Sequence, residues 1–239
     1  MSTWIIFRRE VSQYFSSPFA YLIGFAILFF TGLVFTQELT LTENRIPDPA
    51  IIPRMMSFLM VFFAPLLTMR LLAEEQREGT LELLLTAPVP DGSIVIGKFL
   101  GAWFYYTVLI GITLAYQIIL TALTAPDLGT TIAAYLGIWL YGGATIMVGL
   151  LFSALTENQI VAAFFSMITL LILWLADSAG QIIANIDVAR AVRALSLQGH
   201  FSTSFAAGLV RMEDVAYFVG IIILMVFLAT RVVEANRWR

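Results

Sequence analysis

The chain has 239 residues, of which 60% are hydrophobic and only 12% are charged. A soluble domain carries about 25% charged residues. A chain with this composition has too few charged residues to cover a surface exposed to water, so a soluble protein is excluded. The net charge of −3 argues against nucleic acid as a partner, and a chain with no cysteine and one histidine is not expected to hold a disulfide or a metal site.

The first predicted element is an amphipathic helix over residues 1–17. It carries an apolar stripe at helical spacing, formed by Trp4, Phe7, Val11 and Tyr14. Arg8 and Arg9 lie off this stripe, so the helix is expected to lie in the membrane interface before Pro18 turns the chain into the membrane. A disordered start with a few anchoring aromatic residues is the alternative.

Six apolar segments follow. They cover approximately Pro18–Gln37, Ile51–Leu72, Ile94–Leu123, Thr130–Leu155, Gln159–Ala176 and Val215–Val232. Each is long enough to cross a hydrocarbon core of about 30 Å as a helix, and helices satisfy their own backbone groups in lipid. The sequence therefore predicts an all-α integral membrane protein with six transmembrane helices, built as a single domain over residues 1–239.

The distribution of lysine and arginine predicts the orientation. With six spans, both termini lie on one side of the membrane. That side would hold eight basic residues, which are Arg8, Arg9, Arg70, Arg77, Lys98, Arg231, Arg237 and Arg239. The other side would hold five, which are Arg45, Arg54, Arg190, Arg193 and Arg211. The excess favours cytoplasmic N- and C-termini, because positively charged loops are retained on the inside.

A dense charged segment over residues 73–92 separates the second and third spans. The charges that directly follow the second span are Glu74, Glu75, Arg77 and Glu78. Gly79 is expected to end one helix in the left-handed conformation, Thr80 to cap the start of a second, and Glu82 to lie in its first turn. Such a helix would lie parallel to the membrane and transmit the movement of a docked protein; an ordinary solvated loop is the alternative.

Residues 92–98 match the first seven positions of a nucleotide-binding P-loop. The eighth position requires a serine or threonine that ligates magnesium, and Phe99 stands there instead. The segment also opens a membrane span rather than following a buried strand. Lys98 is therefore interpreted as an anchor at the membrane interface, and no nucleotide site is predicted on this chain.

No charged residue lies in the middle of any of the six predicted spans. Because intramembrane charges mark ion sites and proton relays, this pattern argues against an ion-coupled transporter and an intramembrane protease.

Small residues recur on one helix face in two spans. They are Gly97 and Gly101 in the third span, and Thr145, Gly149 and Ser153 in the fourth. Both patterns suit close helix packing, within the chain or between chains.

The run AEEQREGTLELLLTAP at residues 73–88 resembles the cytoplasmic signature of type-2 ABC transporter permeases. The likeness is closest to the gliding-motility-associated subfamily, with nitrous-oxide-reductase maturation permeases as more distant kin. A second resemblance covers residues 195–217, and the span count and N-terminal helix extend it to the whole chain. In that family the charged segment is the coupling helix, which docks on an ATP-binding subunit. The residues that this role would involve are Glu74, Glu75, Arg77, Glu78, Gly79, Thr80 and Glu82, with Glu157 between spans four and five as a minor contact.

The resemblance also bears on residues 177–214. The family places two short re-entrant helices there, on the extracytoplasmic side between spans five and six. The residues of interest in this segment are His200, Phe201, Phe205 and Gly208. His200 is expected at the junction of the two helices, as a hydrogen-bonded structural residue.

The implied function is that of a permease subunit of an ABC exporter-type transporter in the bacterial cytoplasmic membrane. A separate cytoplasmic ATP-binding subunit would hold ATP and magnesium, and this chain would have no cofactor, metal or catalytic residue. It would couple ATP hydrolysis to export or to mechanical transmission, and pair with a second permease chain as a homo- or heterodimer. An extracytoplasmic auxiliary protein is a further candidate partner. The alternatives are an ATP-independent channel or lipid-handling membrane protein, and a membrane anchor for an extracytoplasmic machine.

Overall fold

The computed structural model describes residues 2–41, 47–80, 90–123 and 125–236, and all regular elements within these ranges are helical. In chain order the α-helices are α1 Ser2–Ser16, α2 Pro18–Leu41, α3 Ile51–Thr68, α4 Ala73–Arg77, α5 Asp91–Leu123, α6 Leu128–Leu155, α7 Gln159–Ile182, α8 Ile186–Ala194, α9 Leu197–Ser202 and α10 Met212–Asn236. A single 3₁₀ turn, Phe205–Ala207, lies between α9 and α10.

Six stretches of the described chain are long and apolar enough to cross a membrane, and they contain α2, α3, α5, α6, α7 and α10. This confirms the predicted all-α membrane fold. The second candidate span, Ile51–Arg77, includes the predicted Ile51–Leu72, but its regular helix α3 ends at Thr68. Residues 69–72 form a turn, and α4 begins at Ala73.

Helix α6 lies at the centre of the bundle, with 78% of its most apolar stretch buried, against 11% for α10. Glycine and small residues allow its neighbours to approach closely. A side chain on Gly142 would overlap the ring of Tyr106 on α5, and one on Gly149 would overlap Thr68 on α3. The predicted small-residue face of this span is therefore a packing surface within the chain.

Helix α1 packs against the small residues of α5. A Cβ atom placed on Gly97 would lie 2.8 Å from Ile6, and one placed on Gly101 would lie 2.6 Å from Glu10. Because these positions carry only hydrogen, α1 lies directly on the backbone of α5. The predicted Gly97–Gly101 packing is confirmed, with α1 as its partner.

Helix α1 buries a face that shares Tyr14 with the apolar stripe but is otherwise formed by other residues. Ile6, Glu10 and Tyr14 are buried, whereas Trp4 is 66% exposed. Phe7 and Val11 are half-buried, at the edge of the buried face. Apolar spacing alone does not identify this buried face, because the face includes the carboxylate Glu10. Contact of the apolar stripe with the membrane interface stays a prediction.

Both ends of the described chain lie at one end of the bundle. Helix α1 packs on the first turns of α5, and a Cβ atom placed on Gly92 would lie 3.8 Å from Thr230, near the end of α10. We call this the α4 end; it comprises α1, α4, the first turns of α5 and the last turns of α10. The arrangement agrees with an even number of spans.

The opposite end holds α8, α9 and the 3₁₀ turn. His200 belongs to α9, and its side chain lies where α8 and α9 meet. Its Nδ1 is 2.6 Å from Asp214 Oδ1 on α10, and its Nε2 is 3.2 Å from the carbonyl oxygen of Ala194, the last residue of α8. The imidazole therefore joins three helices, which is the structural, hydrogen-bonded role expected for it.

The aromatic residues of this segment close the bundle core. Phe201 and Phe205 are fully buried, and their rings lie 6.0 Å from Tyr141 and 6.1 Å from Phe218, respectively. Gly208 follows with a φ of 81°, a left-handed conformation that favours glycine. These three residues pack the segment against α6 and α10.

Candidate functional site

Helix α4 is a short element beyond the end of the second span. It begins at Ala73, ends at Arg77, and is followed by Glu78 and Gly79. Gly79 has a φ of 71°, so it is in the left-handed conformation that was predicted for it. Arg77, Glu78 and Gly79 are exposed, whereas Glu75 is buried. The helix therefore presents one charged surface outward and directs one carboxylate into the protein.

The buried carboxylate belongs to a set of four charged side chains, Arg9, Glu10, Glu75 and Lys98, which we call the charge cluster. Lys98 Nζ lies 2.9 Å from Glu10 Oε1 and 2.9 Å from Glu75 Oε1. Arg9 Nη2 lies 2.6 Å from the same oxygen of Glu75. The cluster thus joins α1, α4 and α5 through three ion pairs.

Charge balance makes this arrangement tolerable in a membrane protein. Two cations face two carboxylates, and Lys98, Glu10 and Glu75 are only 2%, 3% and 7% exposed. Removing a partner from a buried ion pair typically costs about 3–5 kcal/mol, because an uncompensated charge remains. The cluster therefore couples the position of α4 to that of α1 and α5.

Two sequence-based interpretations change here. Lys98 does not anchor the chain at the lipid interface, because its ammonium group is buried between Glu10 and Glu75. Glu75 is not part of the exposed charged surface of the segment, because Arg9 and Lys98 hold it inside. Apolar periodicity does not identify Glu10 as a member of this cluster. One sequence pattern does point to Glu10. It lies four residues from both Ile6 and Tyr14, so the three residues share one face of a helix.

A second set of hydrogen bonds fixes α4 to the central helix. Ser153 Oγ on α6 accepts hydrogen bonds from the backbone amides of Leu72 and Ala73, both at 3.0 Å, and donates to the carbonyl oxygen of Met69 at 3.0 Å. Gln76 Nε2 donates to the carbonyl oxygen of Ala154 at 2.8 Å. The chain is therefore held to α6 on both sides of the point where α4 begins.

Tyr14 provides a further contact between α1 and the second span. Its hydroxyl donates to the carbonyl oxygen of Leu67, at 2.7 Å. Burial, together with the nearby Glu10 carboxylate, raises the pKa of Tyr14 well above its usual value. The phenol is therefore neutral at physiological pH and retains the proton that it donates.

The remaining predicted coupling residues lie around this site or beyond the described ranges. Glu157 is exposed in the turn after α6, close to Ala154 and hence at the α4 end. Glu74 and Thr80 are half-buried, and the Thr80 hydroxyl lies 3.4 Å from the carbonyl oxygen of Glu75. Glu82 lies outside the described residues, as does most of the second helix predicted after Thr80. Arg8 is exposed on α1.

Gly79→Val tests the turn after α4. We expect it to destabilise the segment by about 1 kcal/mol or more, because a β-branched residue is strained in the left-handed conformation. Nothing lies within 4 Å of a Cβ atom placed there, so a steric clash with neighbours would not contribute. Limited proteolysis of residues 73–92 in the purified protein provides the measurement. Gly79→Asn is the matched control. It should be cleaved like the parent, since asparagine tolerates the left-handed conformation. Equal cleavage of the Gly79→Val variant and the parent would contradict the expectation.

Comparison with known proteins agrees with this architecture. The family model for ABC-2 family transporter proteins matches residues 10–235, nearly the whole chain. A comparison with curated proteins gave no match. The matched region contains all six apolar helices, the charge cluster except Arg9, and helix α4. The chain therefore belongs to the ABC-2 transporter family, as a multi-pass membrane permease.

Proposed function

We propose that this chain is the permease subunit of an exporter-type ABC transporter and that α4 receives movement from a separate ATP-binding subunit. ATP and magnesium would be held by that subunit, and this chain would supply no catalytic group. The movement would be delivered to substrate export or to mechanical transmission across the membrane. The resemblance of residues 73–88 to the coupling helix of type-2 permeases, and of the gliding-motility-associated subfamily in particular, supports this assignment.

The observation that carries the proposal is the double attachment of α4. Its buried side is joined to α1 and α5 by Glu75, and to α6 by Ser153 and Gln76. Its outer side exposes Arg77 and Glu78. A force applied to the exposed side would therefore reach three helices at once, rather than being absorbed by a solvated loop.

Helices α3 and α6 provide a route from this end to the other. The first turns of α3 are bonded to the opposite end of the bundle. Arg54 donates to the carbonyl oxygen of Ala206, and Ser57 donates to Gln198 on α9. Helix α3 ends at the turn that Ser153 holds. Movement of α4 would thus be transmitted along α3 to the segment containing α8 and α9, which we place on the extracytoplasmic side.

The proposed assembly contains two permease chains, identical or different, and two ATP-binding subunits. Helices α7 and α10 have the smallest buried shares among the spans, 22% and 11%, and offer surfaces for a second chain and for lipid. We place the protein in the bacterial cytoplasmic membrane with cytoplasmic termini, which the excess of basic residues on the α4 side supports. An extracytoplasmic auxiliary protein would contact the α8 and α9 segment.

Charge reversal on the exposed side of α4 tests the proposal. We expect Arg77→Glu combined with Glu78→Lys to reduce co-purification of the ATP-binding subunit, because close interfacial charge pairs contribute about 1.5–7 kcal/mol when desolvated. The six spans should still insert, since both residues are exposed and lie beyond the end of α3. The measurement is the amount of ATP-binding subunit recovered with the affinity-purified permease, together with its ATP hydrolysis rate.

The matched control is the pair Arg211→Glu with Glu213→Lys. Arg211 and Glu213 are likewise an exposed arginine and glutamate close together in the chain, and they form an ion pair of 3.7 Å at the opposite end of the bundle. The control variant should recover the ATP-binding subunit like the parent. Equal recovery and equal hydrolysis for both reversed pairs would contradict the proposal and favour an ATP-independent channel or an anchor.

A further inference from the structure

A cavity of about 520 Å³ lies between α1, α2, α3 and α4. Its size falls within the range of about 300–1,000 Å³ that is usual for small-ligand sites. It lies where two spans end, because its lining includes the first turn of α2 and the last turns of α3. The exposed side chains of Gln13 and Arg70 line it, so the cavity reaches the protein surface at the level of the membrane boundary.

Three charges that line this cavity have no ion-pair partner among the residues that the structure describes. They are Arg70, Glu74 and Glu78. The other lining charges form the charge cluster and neutralise one another. The guanidinium carbon of Arg70 lies 4.7 Å from the centre of the Phe19 ring, a cation–π contact. As far as the described residues go, the cavity therefore offers one cation and two carboxylates without an ion-pair partner to an occupant.

The opposite part of the lining is apolar. It is formed by side chains at the start of α2, at the end of α3 and in the turn that follows α3, namely Phe19, Ala20, Ile23, Leu66, Leu67 and Leu71. These positions belong to membrane spans, so the apolar wall continues into the hydrocarbon region. A ligand that fits both parts must carry an anion and a cation on its head and a hydrocarbon tail.

We propose that this cavity binds a zwitterionic phospholipid of the phosphatidylethanolamine class. Arg70 would bind the phosphate, Glu74 and Glu78 the primary ammonium group, and an acyl chain would lie along the apolar wall. A lipid that carries only negative charge would place no cation against the two carboxylates. A choline head group has no N–H to donate to them. Glu78 belongs both to this lining and to the exposed side of α4, so lipid binding is measured separately from recovery of the ATP-binding subunit.

The test uses the full-length permease, purified in detergent with its ATP-binding subunit wherever the two co-purify. Native mass spectrometry would count bound dihexanoyl phosphatidylethanolamine, dihexanoyl phosphatidylcholine, dihexanoyl phosphatidylglycerol and phosphoethanolamine in parallel titrations. We expect phosphatidylethanolamine to bind most tightly. Phosphoethanolamine should bind more weakly because it lacks the tails that contact the apolar wall. This arm separates a lipid from a free phosphate compound as the occupant.

Variants connect the binding to these residues. Arg70→Gln should weaken phosphatidylethanolamine binding by about tenfold or more, the loss expected for one charge-assisted hydrogen bond. Glu74→Gln with Glu78→Gln should remove the preference for phosphatidylethanolamine over phosphatidylglycerol. Arg77→Gln and Glu213→Gln are the controls, because both are exposed charges outside the cavity lining, and neither should change binding.

Three results would overturn the proposal. The first is equal binding of all lipids by the parent. The second is phosphoethanolamine binding as tightly as the lipid, which would identify a soluble ligand. The third is loss of the ATP-binding subunit, without any loss of lipid, in the Arg70→Gln variant, which would show that a protein surface covers the cavity.

Discussion

Lys98→Met is expected to lower the free energy of unfolding by about 3–5 kcal/mol, the usual cost of removing one partner from a buried ion pair. Lys98 is the only cation within 4.0 Å of Glu10 among the described residues, and it shares Glu75 with Arg9. Methionine preserves most of the volume but leaves the buried Glu10 carboxylate without a cation. Thermal unfolding of the detergent-purified protein, followed by tryptophan fluorescence, measures the change.

A double replacement separates charge from packing. Adding Glu10→Gln to Lys98→Met removes the orphaned carboxylate and leaves the Arg9–Glu75 pair intact, so part of the lost stability should return. Arg8→Met is the matched control, because Arg8 is exposed on the same helix as Glu10 and should change stability by no more than about 0.5 kcal/mol. Strictly additive effects of the two replacements would show that Glu10 and Lys98 do not interact.

Ser153→Ala is expected to free the start of α4 from the central helix. Ser153 is fully buried, and its oxygen is the acceptor for the amides of Leu72 and Ala73. Each buried amide left without an acceptor costs about 1–3 kcal/mol. Hydrogen–deuterium exchange of a peptide covering residues 69–77 should therefore accelerate, and this measurement reports on the turn itself rather than on global stability.

The same variant bears on coupling. If α4 transmits movement to α6 through Ser153, the ATP-binding subunit should still bind, because Arg77 and Glu78 are unchanged. Its hydrolysis should no longer respond to the permease. Ser166→Ala is the matched control, since Ser166 is also buried in a span but donates to the carbonyl oxygen of Ala163 in its own helix. An unchanged rate of hydrogen–deuterium exchange at residues 69–77 in the Ser153→Ala variant would show that a water molecule replaces the serine hydroxyl as the acceptor.

Several features could be predicted from the sequence because they depend on short stretches of chain. The six spans follow from the apolar character of segments about 20 residues long, whatever their neighbours are. The left-handed turn at Gly79 follows from a charged helix that meets a glycine. The small residues at Gly97, Gly101 and Gly149 indicated close packing, although not the identity of the helix that would fill each position.

The charge cluster could not be predicted in this way. Its ion pairs join Arg9 to Glu75 across 66 positions and Glu10 to Lys98 across 88. In the sequence each of these residues lies near the end of a span or on an amphipathic helix, where an exposed, solvated charge is the usual outcome. Only the packing of α1 onto Gly97 and Gly101 brings the four side chains together.

The sequence by itself therefore determined the class of the protein, the number of its spans and the position of its charged segment, because hydrophobicity and turn propensity act locally. The tertiary structure alone decided that Glu75 lies inside, that Ser153 holds the turn before α4, and that Arg70, Glu74 and Glu78 line one cavity. Each of these contacts joins residues from different helices. Such contacts depend on how the helices pack, and no property of a single segment specifies them.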